Sequence, residues 1–182
     1  MSYIPEGTTN LTTGSILKSQ SGYILLATKA ATSGAAITFT SLISATYNNY
    51  FLLIENLQVT SATPLLLNVS ANNGSSYITT NYQSGTVRFL NTGAALTNSN
   101  STAAILFSPS NIQTTGTNCQ ECYFCVNGPF NYISNFGKTT TVSFAGGYAW
   151  GTNTSTAVNA FEINIATGAF QAGQISLYGI LE

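Results

Sequence analysis

The chain of 182 residues contains no histidine and no aspartate, and its charged side chains are four Lys or Arg and five Glu. These absences remove the usual tools of hydrolytic, phosphoryl-transfer and metal chemistry. General acid–base catalysis draws on His first and then on carboxylate pairs with separated pKa values. The carboxylate side chains here are Glu6, Glu55, Glu121, Glu162 and Glu182. A Ser, Thr or Cys nucleophile would need one of them, or Lys18, Lys29 or Lys138, as its base. No catalytic residue is assigned, and a structural or binding protein is expected. The enzymatic alternative is a glycosidase using Glu121 and Glu162, because that reaction needs two carboxylates at a set separation. Glu162 instead alternates outward from Phe161 and Ile163, as a solvated strand residue does.

Other shortages exclude partners. Lys18, Lys29, Arg88 and Lys138 form no cluster, whereas binding a phosphate backbone requires a basic face, so no nucleic acid is expected. The longest compact apolar stretch, residues 50–54, is far too short to span a bilayer, so no membrane partner is expected. Residues 1–18 lack both a basic start and a long apolar run, and the reading is of a soluble chain made in a cytoplasm without a secretory signal. Asn10, Asn68, Asn73, Asn100 and Asn153 begin Asn-x-Ser/Thr patterns, read as ordinary polar surface in a chain this rich in those residues.

What is present is apolar matter and uncharged polarity. Hydrophobic residues make up 44% of the chain, aromatics 12% and charged residues 5%, where an ordinary domain carries about 25% charged. That supports one domain with a sizeable core. The net charge of −1 weakens colloidal repulsion and favours association.

The three cysteines stand together as Cys119, Cys122 and Cys125. A Cys-x-x-Cys step can place two thiolates on one ion, but a structural zinc site wants four Cys or His ligands and the chain has no fourth. Glu121 or a neighbouring subunit would have to complete it. The plainer reading is a strand on which Cys122, Phe124 and Val126 share one face and Tyr123 and Cys125 the other, with the thiols as small hydrophobes. Structural thiols lead over a disulfide or a metal site, and no cofactor or metal is expected.

Residues 1–21, rich in Thr, Ser, Asn and Gly, suggest an extended arm. Residues 22–182 form the expected sandwich domain. Strands are expected at residues 23–27, 36–41, 50–57, 65–69, 86–90, 103–107, 121–126, 139–150, 158–165 and 174–180. Asn72-Asn73-Gly74 and Thr167-Gly168 read as turns, and Gly146-Gly147 as a bulge or bend within its strand. No segment shows sustained helical periodicity with caps. The expectation is an all-β, antiparallel β-sandwich, jelly-roll-like, of about nine or ten strands. Scarce charge leaves edge strands poorly guarded, so oligomerisation is expected to cover them.

Two regions carry a resemblance. Residues 37–57, followed by residues 65–77 with their Gly74-Ser-Ser-Tyr77 turn, resemble the front half of a group of bacteriophage virion proteins. The closing Gly173-Gln-Ile-Ser-Leu-Tyr-Gly179 resembles the last strand of the same group. The likeness covers roughly residues 23–182, with a divergent middle near 78–120, and the cysteine cluster is not one of its features. It implies a non-enzymatic virion structural protein with a jelly-roll-like sandwich, assembled in the host cytoplasm. The leading expectation is a capsid decoration or cement protein, a homo-oligomer with a trimer favoured, contacting the major capsid protein or other virion proteins. The alternative is a tail fibre, tail tip or baseplate component with a receptor- or glycan-binding sandwich. Among the motif residues, Gly168 and Gly173 are expected to take positive φ. Tyr77 and Tyr178 are expected as half-buried aromatics with hydrogen-bonded hydroxyls rather than ligand-stacking platforms.

Overall fold

A computed structural model of the chain describes residues 22–80, 82–90, 97–107, 112, 114, 118–126, 131–138, 142–150 and 157–181. The arm expected over residues 1–21 lies outside them. Twelve strands are found among the described residues: β1 (Gly22–Ala30), β2 (Ala36–Thr40), β3 (Asn49–Val59), β4 (Leu65–Ser70), β5 (Gln83–Leu90), β6 (Thr97–Ser101), β7 (Ile105–Leu106), β8 (Asn118–Cys125), β9 (Asn131–Lys138), β10 (Val142–Trp150), β11 (Ala160–Ile165) and β12 (Phe170–Leu181). None of the described residues is helical.

The strands form two antiparallel sheets, as a β-sandwich does. One runs β1-β12-β3-β8-β9-β10-β5-β6 and the other β2-β11-β4-β7. Period-2 alternation builds the space between them. Tyr50, Leu52 and Ile54 of β3, Cys122 and Phe124 of β8, and Ile175 and Leu177 of β12 point inward from the larger sheet. Ile37 and Phe39 of β2, Leu65, Leu67 and Val69 of β4, and Phe161, Ile163 and Ile165 of β11 meet them from the smaller. Aromatic rings join the two layers. Phe39 stacks on Phe161 at 4.8 Å between centroids, Phe161 meets Phe124 edge-on at 5.5 Å, and Phe124 stacks on Tyr50 at 5.4 Å. Such pairs add about 0.5–1.5 kcal/mol each beyond their burial.

Glycine sets the geometry where β12 crosses β3. Gly173 has φ +111°, and a Cβ there would lie 2.7 Å from the Glu55 carbonyl oxygen and from Leu57 Cα. Both strands are irregular at this point, so the backbones approach more closely than a side chain allows. Gly168, at φ +82°, turns β11 into β12.

The expected strands are found, with corrections. The segment expected at residues 103–107 shrinks to the two residues of β7. β6 and β9 were not expected, which raises the count to twelve. β6 is Thr, Asn and Ser throughout and pairs with β5 through its backbone, leaving no hydrophobic pattern to read. Gly146 and Gly147, expected at a bulge or bend, stay in register with Val87 and Thr86 of β5, and the shift in that pairing falls between Val142 and Phe144.

Candidate interaction surface

The chemistry-bearing residues divide between the outward faces of the two sheets. On the smaller sheet, Thr38, Glu162 and Asn68 lie side by side across β2, β11 and β4. The loop of residues 71–80 folds over this face. It is pinned at its turn by Asn73 and Gly74, two successive left-handed residues at φ 56° and 83°. Ser41 N–H donates to Asn73 Oδ1 at 2.6 Å, and Asn73 N–H donates to Asn159 Oδ1 at 2.7 Å.

Beneath the loop the amides interlock. Asn68 Nδ2 donates to the carbonyls of Ile78 and Ala103 at 2.9 and 3.1 Å, and Asn68 Oδ1 accepts from Asn164 Nδ2 at 2.7 Å. Asn164 Nδ2 also reaches Glu162 Oε1 at 2.9 Å. The buried Tyr82 hydroxyl accepts from Val69 N–H and donates to the Ile78 carbonyl, each at 2.9 Å. Asn68 is thus a buried structural amide, which corrects its reading as polar surface. Burial raises the Glu162 carboxyl pKa, partly offset by the Asn164 hydrogen bond. Tyr77 is half-buried as expected, but its hydroxyl is enclosed without a hydrogen-bond partner, which corrects the other half of that expectation.

The larger sheet presents the opposite surface. One row across its outward face reads Leu25, Tyr178, Phe51 and Tyr123, carried by β1, β12, β3 and β8. The next row toward one end begins with Tyr23 and Ile180, and the next toward the other reads Thr28, Ser176, Leu53 and Glu121. Tyr23, Leu25 and Tyr123 are 53%, 54% and 36% exposed. Tyr23 and Tyr123 stand on strands three spacings apart, roughly 14 Å, yet their hydroxyls meet at 3.0 Å. Both side chains therefore lean across Phe51 and Tyr178. Tyr23 lies edge-on to Phe51 at 5.2 Å and to Tyr178 at 6.4 Å, and Tyr123 is tilted against Phe51 at 4.8 Å. The hydrogen bond with Tyr23, then burial and the repulsion of negative charge by Tyr23 and Glu121, push the Tyr123 phenol up to about 12.

These geometries limit what the surface can do. The rings stand at 38° to 88° to one another, so they make no flat platform for a stacked planar ligand or sugar ring. The Tyr23 and Tyr123 hydroxyls engage each other. What remains outward is contiguous apolar matter, and it is contiguity rather than single exposed residues that marks an interaction surface.

The cysteine cluster does not converge. Cys119 is exposed and Cys125 half-buried on the outward face, while Cys122 is buried in the core, and all three are free thiols. Cys119 and Cys125 are six residues apart along one strand, roughly 20 Å, too far to share an ion. Burial raises the Cys122 pKa well above the ordinary thiol value, as suits a small core hydrophobe. Among the described residues no group of three or more His, Cys, Asp or Glu side chains is placed to hold a metal ion. Glu121 and Glu162 face outward from opposite sheets with the core between them, so they do not form a carboxylate pair.

The aromatic surface escaped the sequence reading, although a signal for it was present. Residues 50–54 are apolar without interruption, which in a strand means that both faces want cover. No protein-family model, curated protein or solved structure matches the chain.

Proposed function

We propose that the chain is a non-enzymatic structural protein of a bacteriophage particle, a capsid decoration or cement protein that works through subunit contacts. The observation that carries this reading is the apolar outward face of the larger sheet, which no described residue covers, in a chain with almost no charge. Such a surface suits packing against a protein neighbour, because little charge is stripped of water in the contact. The resemblance of residues 37–57, 65–77 and 173–179 to virion proteins supplies the particle as the setting.

The strand order supports a jelly roll. Omitting the added β5, β6, β9 and β10, the layers read β1-β12-β3-β8 over β2-β11-β4-β7. The chain passes between layers at every step except β4 to β7, the weave of two interleaved Greek keys that viral capsid and lectin domains use. Fold alone assigns no function, so the contact face carries the proposal. Partners in this reading are further copies of the chain and the major capsid protein or other virion proteins. Many modest contacts of this kind stabilise a shell through multivalency. The tilted rings and engaged hydroxyls favour such a contact over glycan recognition.

The test is the copy number of the chain in purified particles, measured by quantitative mass spectrometry and located by labelled electron microscopy. Hundreds of copies on the shell are expected. A handful of copies confined to the tail, or none in the particle, overturns the assignment.

A further inference from the structure

The aromatic face also bears on how the chain meets itself, and this stands apart from the particle address: we infer that two copies pair through this face about a two-fold axis running along the strands. The occupant is argued from charge. Tyr23, Leu25, Phe51, Leu53, Tyr123, Tyr178 and Ile180 carry none, and Glu121 stands at the margin beside Leu53. An ordinary protein surface, about one-quarter charged, would lose hydration at each charge it laid on these rings without gaining a partner for it. This chain, 5% charged, is the neighbour that avoids that cost.

The register fixes how two copies fit. With the axis along the strands, β8 of one copy overlies β1 of the other and β3 overlies β12. Tyr123 then meets Leu25, Phe51 meets Tyr178, and Glu121 faces the Thr28 hydroxyl rather than a second carboxylate. Two flat sheet faces pack in this way in any sandwich, with layers roughly 10 Å apart and strands inclined by about 30°. The contact is isologous, each residue meeting its counterpart twice, and it is two-fold where the sequence favoured a trimer.

Area sets its strength. Four strands about 4.8 Å apart and roughly six residues long give a footprint of about 400 Å² per copy, half of the roughly 800 Å² per partner in a standard stable interface. Pairing is therefore reversible and concentration-dependent.

Sedimentation velocity of the full chain, from micromolar to millimolar concentration, tests the inference. A reversible monomer–dimer equilibrium is expected. Leu25→Lys and Tyr123→Lys each weaken it by at least about tenfold, while Thr38→Lys, on the other outward face, leaves it unchanged. Unaltered thermal midpoints for the two face variants exclude unfolding as the cause. A wild type that stays monomeric throughout overturns the inference, as does a dimer that neither face substitution weakens. If the wild type is monomeric but Leu25→Lys loses binding to the particle, a different protein occupies the face; the two-fold pairing then fails and the virion reading survives.

Discussion

The two outward faces of the sandwich solve the same problem in opposite ways. On the smaller sheet, β4 and β11 put Asn68, Ser70, Glu162 and Asn164 outward, and the chain seals most of that polar surface with its own loop of residues 71–80. On the larger sheet, β1, β3, β8 and β12 put Tyr23, Leu25, Phe51, Tyr123 and Tyr178 outward, and no described residue of the chain covers them. A polar face under a loop must be satisfied bond by bond, because each buried group left unpaired costs about 1–3 kcal/mol. An apolar face needs only to be taken out of water, at roughly 25 cal/mol per Å², and any surface of matching shape and low charge can do that. The first face stabilises the fold. The second is available for association.

Substitutions that remove the sealing bonds should separate the faces most sharply. Asn68→Leu removes three hydrogen bonds, those that Asn68 donates to the Ile78 and Ala103 carbonyls and the one it accepts from Asn164. A loss of about 3 kcal/mol is expected, read as a lower denaturant midpoint at unchanged slope. Tyr82→Phe removes the hydroxyl between Val69 N–H and the Ile78 carbonyl and should cost about 2 kcal/mol in the same assay.

Tyr77→Phe should act in the reverse direction. It deletes an enclosed hydroxyl that has no hydrogen-bond partner, and a gain of about 1 kcal/mol is expected. Destabilisation of that size would show that the hydroxyl is satisfied in solution.

Glu162 gives a smaller, pH-dependent effect. Burial raises its folded-state pKa above the ordinary carboxylate value of 4.5, so the unfolded chain releases this proton first as pH rises. Its contribution is most favourable below the unfolded pKa, and stability is lost as pH climbs from there through the raised folded value. Glu162→Gln should remove that decline and raise stability at neutral pH. The gain is expected to be below about 1 kcal/mol, since the carboxylate is half-buried and partly screened by water. Unfolding curves for both proteins across the acid range check it.

Most of the strand framework was legible because inward residues alternate with polar ones. Ile37 and Phe39, Leu65, Leu67 and Val69, and Phe161, Ile163 and Ile165 announce their strands without any tertiary information. β6 could not be read, because five Thr, Asn and Ser residues pair through backbone groups that every sequence possesses. The site was less legible than the fold. The uninterrupted apolar run of β3 shows that its second face needs cover, yet the row joining Leu25 to Tyr123 spans residues almost a hundred positions apart and exists only in the pairing. The Tyr23–Tyr123 hydrogen bond is of the same kind. The cysteines illustrate the converse: their closeness in sequence suggested convergence, and the period of the strand separates them.

The difference between the faces rests on the larger sheet's apolar surface being covered by association. Hydroxyl-radical labelling of the full chain, dilute and concentrated, with oxidation read by mass spectrometry at Tyr23, Leu25 and Tyr123, tests this most directly. Strong labelling in the dilute protein and clear protection at those three side chains in the concentrated protein, with Tyr77 on the other face unchanged, is the predicted result. Equal labelling of Tyr23, Leu25 and Tyr123 at both concentrations would contradict it.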